Sequence, residues 1–152
     1  MELLITRARL PEREGLFRIA ADKGVFTAIR PEGEAETPLP PDRFRTVIDA
    51  EERLLLPPYV ESHIHLEAVL TAGDPRWNES GTLFEGIEIW AERQPFLTKA
   101  DVKERALAVL KNMAAQGVLH VRTHADICDP KLTALEALLE LKEEVRAWMD
   151  VQ

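Results

Sequence analysis

The sequence predicts an α/β chain: a small all-β unit over residues 1–56, then residues 57–152 in which strands alternate with helices. Three observations carry this. Short apolar or β-branched runs separated by turn residues fill the first third, the pattern switches after Pro57-Pro58 to strand-like runs alternating with long amphipathic helices, and each helix begins near a threonine at capping spacing.

In the first part, Leu3 to Ala8, Leu16 to Ala20, Val25 to Ile29 and Thr46 to Ile48 read as strands. Asp22-Lys23-Gly24 places a glycine able to take positive φ between two of them, which is a hairpin signal. Pro31 to Pro41, with four prolines, reads as a surface loop.

In the second part the first strand is expected over Leu54 to His65, interrupted by the two prolines. A helix over Thr82 to Arg93 follows, with Thr82 and Glu85 at capping-box spacing and Pro95 as its stop. A second helix runs from about Lys99 to Gln116. Thr98 and Asp101 open it, Val102, Ala106, Val109, Leu110 and Met113 form its apolar stripe, and Gly117 stands at the position after its end. Val118 to Asp126 reads as the next strand. The third helix is expected over Thr133 to Met149, with Thr133 and Glu136 as a capping box and Leu135, Leu138, Leu139, Val145 and Trp148 or Met149 inward. Asp150-Val151-Gln152 begins another strand.

This order is the opening of an eight-fold βα barrel, a fold that typically takes about 250 residues. The sequence therefore reads as the N-terminal portion of a longer, truncated chain. A short open parallel sheet complete at this length is the alternative.

Composition narrows the function classes. Nineteen Lys and Arg against 27 Asp and Glu give a net charge of −8, so no basic footprint for nucleic acid exists. Cys128 is the single cysteine, which precludes an internal disulfide or a cysteine-only metal cage. The N-terminal apolar run Leu3 to Ile5 is far too short for a signal or membrane segment. A cytoplasmic protein with no membrane partner is the expectation.

The sharpest chemical feature is His63-Ile64-His65. Residues two apart on a strand point to one side, so both imidazoles can face one metal, and neutral imidazole is a common ligand for zinc or ferrous iron. Chance pairing of two histidines is the alternative. His65-Leu66-Glu67 also fits the His-x-Glu of the zinc nucleobase and nucleoside deaminases, but those need a Pro-Cys-x-x-Cys partner that a chain with one cysteine lacks. His120, Arg122, His124 and Asp126 share one face of their strand by period 2; His124, nearest the C-terminal end, is a candidate for lining a site or a structural histidine, and His120 reads as structural. Glu61 is expected to pair with Arg122. Trp77, Trp90 and Trp148 read as packing residues, and Cys128 as a small buried or loop residue.

The run Leu54 to Glu67, then Thr71-Ala72-Gly73, Trp77 to Ile87, Trp90-Ala91-Glu92-Arg93 and His120 to Asp126, resembles the bacterial cytosine deaminases of the amidohydrolase superfamily. The resemblance extends over essentially the whole chain, most specifically Pro57 to Arg93. It implies a (β/α)8 TIM barrel beside a small β-sandwich subdomain built from both chain ends, and one divalent metal ion, Fe(II) or Zn(II). It implies hydrolysis of the exocyclic amine of cytosine to uracil and ammonia. His63 and His65 match the family's His-x-His metal ligands, and Leu83 matches the leucine of its Ser-Gly-Thr-Leu-Phe-Glu-Gly segment, which lines the base pocket. The family's remaining metal ligands, its acid/base glutamate and its other active-site residues would lie beyond Gln152, so no catalytic group is expected within this segment and the segment alone should be inactive. The implied partner is a small-molecule nucleobase, and the complete chain is expected to be a homo-oligomer. Two alternatives stand beside this: an amidohydrolase acting on another ring or amide compound such as creatinine, isoguanine or a triazine, and a truncated, non-catalytic assembly module.

Overall fold

The computed structural model describes residues 1–33 and 39–152. Two compact units, Met1–Pro57 and Pro58–Gln152, make up the chain.

The first unit is a four-stranded sheet in the order β3-β2-β1-β4, with β1 at Leu3–Ala8, β2 at Phe17–Asp22, β3 at Val25–Pro31 and β4 at Thr46–Asp49. The hairpin between β2 and β3 turns on Lys23 at φ 49° and Gly24 at φ 74°. Two successive positive φ values match the right-handed twist of paired strands, which is why a Lys-Gly pair suffices for the turn. β1 then pairs antiparallel with β2 and parallel with β4. Leu4, Ala20 and Phe44 form its small core. Of the proline-rich stretch expected to be a loop, residues 34–38 lie outside the described residues; its ends are ordered, Pro31 in β3 and Pro41 opening a short 3-10 turn.

The second unit is a three-stranded parallel sheet, β5-β6-β7, formed by Tyr59–Ile64, Val118–Thr123 and Asp150–Val151, with helices α1 (Leu83–Arg93), α2 (Lys99–Ala115) and α3 (Thr133–Val145) between the strands. Parallel neighbours need a long crossover, and here the crossovers are helical. This is the beginning of the TIM-barrel type of α/β architecture.

Local signals explain the helix starts. Thr82 caps α1 by accepting from the backbone N–H of Glu85, and Thr98 caps α2 by accepting from Asp101. Glu85 does not complete a reciprocal box, because its carboxylate accepts from the backbone N–H and hydroxyl of Ser80 and from Arg76. At α3 the expected Thr133–Glu136 box is absent. Asp129 replaces it, its two carboxylate oxygens accepting from the N–H groups of Lys131 and Thr133, both at 2.9 Å. These bonds hold the Asp129 carboxyl below its ordinary value.

The core lies between the sheet and α2 and α3, with Leu66, Val102, Ala106, Leu110, Ala137, Leu141 and Val145 as its most buried members. On α3 the buried stripe is Ala134, Ala137, Leu138, Leu141 and Val145; of the expected inward residues Leu138, Val145 and Met149, just past the helix, are buried, whereas Leu139 is 56% exposed and Trp148 38%. Consecutive leucines at 138 and 139 make a sequence-only choice of stripe ambiguous, and the helix rotates to bury the one that meets α2. Beyond the apolar core, Lys99 and Lys103 on α2 pair with Glu136, Glu140 and Glu144 on α3. Among the described residues no helix is long and apolar enough to cross a membrane.

Candidate functional site

Val121 points into the helix-side core, so its neighbours His120 and Arg122 occupy the other face of the sheet. There His120 lies 3.3 Å from an Asp150 carboxylate oxygen, and Arg122 donates to the Gln152 side chain at 3.1 Å. The expected Glu61–Arg122 pair does not form. Glu61 instead accepts from the backbone N–H of His63 at 2.9 Å.

That bond belongs to an irregularity in the ladder, since the β5–β6 register shifts between Glu61 and Ile64. Such irregularities re-aim side chains near strand ends. Ile64 packs on the helix-side core, while His63 and His65 on either side of it are exposed. The strand ends are stitched by the His124 N–H donating to the Ile64 carbonyl at 2.8 Å and the Leu66 N–H donating to Thr123 Oγ1 at 3.2 Å.

Three imidazoles consequently gather at the C-terminal edge of the sheet. The ring centres of His63 and His65 are 5.4 Å apart, His124 stacks on His63 at 4.1 Å with a 20° interplanar angle, and His65 and His124 are 6.0 Å apart. The expectation that His120, Arg122, His124 and Asp126 share a strand face holds for the first two alone. β6 ends at Thr123, and His124 and Asp126 lie in the non-regular segment beyond it.

Beside His65 opens a cavity of about 440 Å³, walled by His65, Glu67, Leu83, Ile87, Trp90 and Asp126 among others. Leu83, in the first turn of α1, is 76% exposed and contributes its side chain to this wall. The capping threonine and the Ser80–Glu85–Arg76 network, together with Asn78 donating to the Thr82 carbonyl, set the entry of α1. Hydrogen bonds from Ser80 hold the Glu85 carboxyl well down, at about 2.

The Asp126 side chain, one of the polar residues in this wall, is tied down by hydrogen bonds. Asp126 Oδ2 accepts from Trp90 Nε1 at 2.7 Å and from Gln94 Nε2 at 3.2 Å, and its Oδ1 accepts from the Cys128 N–H at 2.8 Å. Burial pushes the Asp126 carboxyl up, but these hydrogen bonds outweigh it and leave it below the ordinary value. Trp90 is therefore a hydrogen-bonded wall residue, whereas Trp77 is 68% exposed. Cys128 is an exposed loop residue whose thiol is pushed up by the neighbouring Asp126 carboxylate, the opposite of an activated nucleophile.

Whether this donor set suits a divalent metal can be tested on the rings. Two imidazoles sharing an ion about 2.0–2.1 Å from each nitrogen, at a tetrahedral angle, have centres about 5 Å apart. The 5.4 Å between His63 and His65 fits. The near-parallel stack of His124 on His63 does not, because in-plane lone pairs of stacked rings cannot converge on one point. His63 and His65 are thus a compatible pair, with His124 as a neighbour. No group of three or more His, Cys, Asp or Glu able to hold an ion occurs among the described residues, so the pair is about half of what such an ion takes.

Sequence reasoning set Glu67 aside with the rejected His-x-Glu motif and missed Arg105. Glu67 is 1% exposed and Arg105 reaches the segment behind it, donating to the carbonyls of Glu67 at 2.8 Å and Val69 at 2.6 Å. A lone carboxylate between Leu66 and Ala68 was the available signal for Glu67; Arg105, on a charged helix, offered none.

Residues 46–146 match the sequence model of the Amidohydrolase family. The fold is similar to that of 5-methylcytosine deaminase from Klebsiella pneumoniae liganded with 5-fluorocytosine, at 44% identity and a TM-score of 0.87, over 98% of this chain and 35% of that one. N-isopropylammelide isopropyl amidohydrolase of Pseudomonas sp. (strain ADP) is 27% identical over 99% of this chain and 37% of its own length. N-isopropylammelide isopropylaminohydrolase from Burkholderia multivorans ATCC 17616, at 23% identity and a TM-score of 0.75 over 100% of this chain and 37% of that one, shares the fold. The chain spans about a third of the length of these relatives.

Proposed function

The chain belongs to the amidohydrolase family, and from that premise we propose that the complete protein containing it hydrolyses the exocyclic amine of cytosine or a 5-substituted cytosine, releasing ammonia. The observation that carries this reading is the joint placement of His65 and Leu83 on one cavity, with His63 beside His65, in a chain 44% identical to a deaminase of 5-methylcytosine.

His63 and His65 would hold a divalent ion, Fe(II) or Zn(II). When bound, such an ion supplies the Lewis acidity that makes water a nucleophile near neutral pH. The residues of this chain do the positioning. Leu83, Ile87 and the Trp90 ring offer apolar surface to the faces of a planar base, while the hydrogen bond from Trp90 to Asp126 keeps that wall in place. His124, stacked on His63, limits how that ring can turn. Proton transfer to the ring and the departing amine needs an acid/base group, which belongs to the remainder of the complete protein. A cytoplasmic homo-oligomer taking a small nucleobase, with no nucleic acid or membrane partner, is part of the same proposal.

The experiment follows release of ammonia from cytosine and 5-methylcytosine, and of isopropylamine from N-isopropylammelide, by the metal-loaded complete protein, with His63→Ala alongside. Turnover of the cytosines, abolished in the variant together with bound metal, is expected. A protein that leaves both cytosines unchanged while turning over N-isopropylammelide overturns the substrate assignment.

A further inference from the structure

Glu67 is the most deeply buried ionisable side chain near the cavity, at 1% exposure. Its Oε1 accepts from the backbone N–H of Asp126 at 2.9 Å and lies 3.3 Å from Nδ1 of His65. Its Oε2 is buried with no hydrogen-bond partner among the described residues. A buried carboxylate with one unsatisfied oxygen is costly to keep, so its position calls for a compensating role. Among the described residues no Lys or Arg side chain is bonded to it: Arg105 donates to the backbone carbonyls of Glu67 and Val69 and to the Asp101 carboxylate. Among the described residues, the side chain within hydrogen-bond reach of its carboxylate is the His65 ring.

Resting on the metal reading of His63 and His65 given above, we infer that Glu67 is the positioning residue for His65. Its carboxylate fixes a proton on Nδ1 and leaves Nε2 free, turned toward a divalent cation. A ring nitrogen that donates to a carboxylate orients the imidazole and strengthens the other nitrogen as a ligand. The Asp126 N–H anchors the same carboxylate oxygen, and Asp126 in turn holds Trp90, so the metal-side histidine and the cavity wall on α1 are set by one chain of hydrogen bonds. Among the described residues His63 has no such partner; its ring is placed by the stack with His124.

The test uses the complete protein. In metal-free wild type, 15N chemical shifts of the neutral rings, with the His65 signal identified by its loss in His65→Gln, should show His65 protonated on Nδ1. Co(II) affinity, measured by chelator competition, should weaken about 10–100-fold in Glu67→Leu and recover most of its strength in Glu67→Gln, which keeps an acceptor oxygen. A wild-type His65 protonated on Nε2, or a folded Glu67→Leu that binds Co(II) as tightly as wild type, overturns the inference. The wild-type spectrum decides even if Glu67→Leu fails to fold. His63→Ala separates the two readings: Co(II) binding unchanged in that variant removes the metal assignment itself, while the tautomer of His65 still reports on Glu67.

Discussion

Arg105 holds the segment that leaves the candidate metal ligands, and replacing it with methionine isolates what its charge contributes. The side chain is 11% exposed and makes two bonds to the Asp101 carboxylate, at 3.1 and 2.8 Å, besides its two to the carbonyls of Glu67 and Val69. Methionine keeps the stem volume and removes all four donors. Each lost bond from a charged donor to a largely buried carbonyl costs about 1.5–3 kcal/mol. The Asp101 carboxylate keeps Arg93 at 3.3 Å as a partner, so it is weakened and not orphaned. The sum over the two carbonyls is a loss of about 3–6 kcal/mol, read as a shift of the urea midpoint of the complete protein with tryptophan fluorescence. Because the hydrogen bond from Arg105 is the largest cause holding the Asp101 carboxyl below its ordinary value, the wild-type pair stabilises above that value and loses its effect as pH falls through the depressed one. Arg105→Met should return Asp101 toward its ordinary value and make acid unfolding begin at higher pH. A variant within about 1 kcal/mol of wild type would refute the view that Arg105 secures the turn behind His65.

Leu110→Ala, at a fully buried position, should cost about 2–5 kcal/mol, whereas Leu139→Ala on the exposed side of α3 should cost less than about 0.5 kcal/mol; equal shifts in thermal unfolding would contradict the observed helix rotation. The Glu85 carboxyl, held at about 2, should order residues 76–82 fully above pH 4.5 and release them as pH falls toward 2. Limited proteolysis of that segment across this range should show the loss, and Glu85→Gln should show segment opening at neutral pH already. Leu83→Ala should raise KM for a pyrimidine with little change in metal content; an unchanged KM would place the base elsewhere.

Much of the architecture could be read from local pattern because local forces set it. The β1 boundaries, the turn at Lys23-Gly24, the threonine caps of α1 and α2, and Gly117, which takes φ 86° just past α2, all follow from residues within a few positions of each other. The His-x-His pair was legible for the same reason, since two-residue spacing on a strand is a local property. Where competing options were equivalent locally, the pattern failed. Thr133 looks like a cap, yet Asp129 lies four residues earlier and supplies two oxygens; leucines at 138 and 139 both fit a stripe until α2 selects one.

What the amino-acid sequence determined by itself is the element order, the family, and the closeness of the His63 and His65 rings. Tertiary structure alone decided which distant groups meet there. His124 stacks on His63 from the segment after β6, Asp126 reaches Trp90 on α1, and Arg105 reaches back from α2 to the turn after Glu67. Those contacts span dozens of residues and depend on strand register and helix rotation, which hydrophobic periodicity constrains to a face but not to a partner.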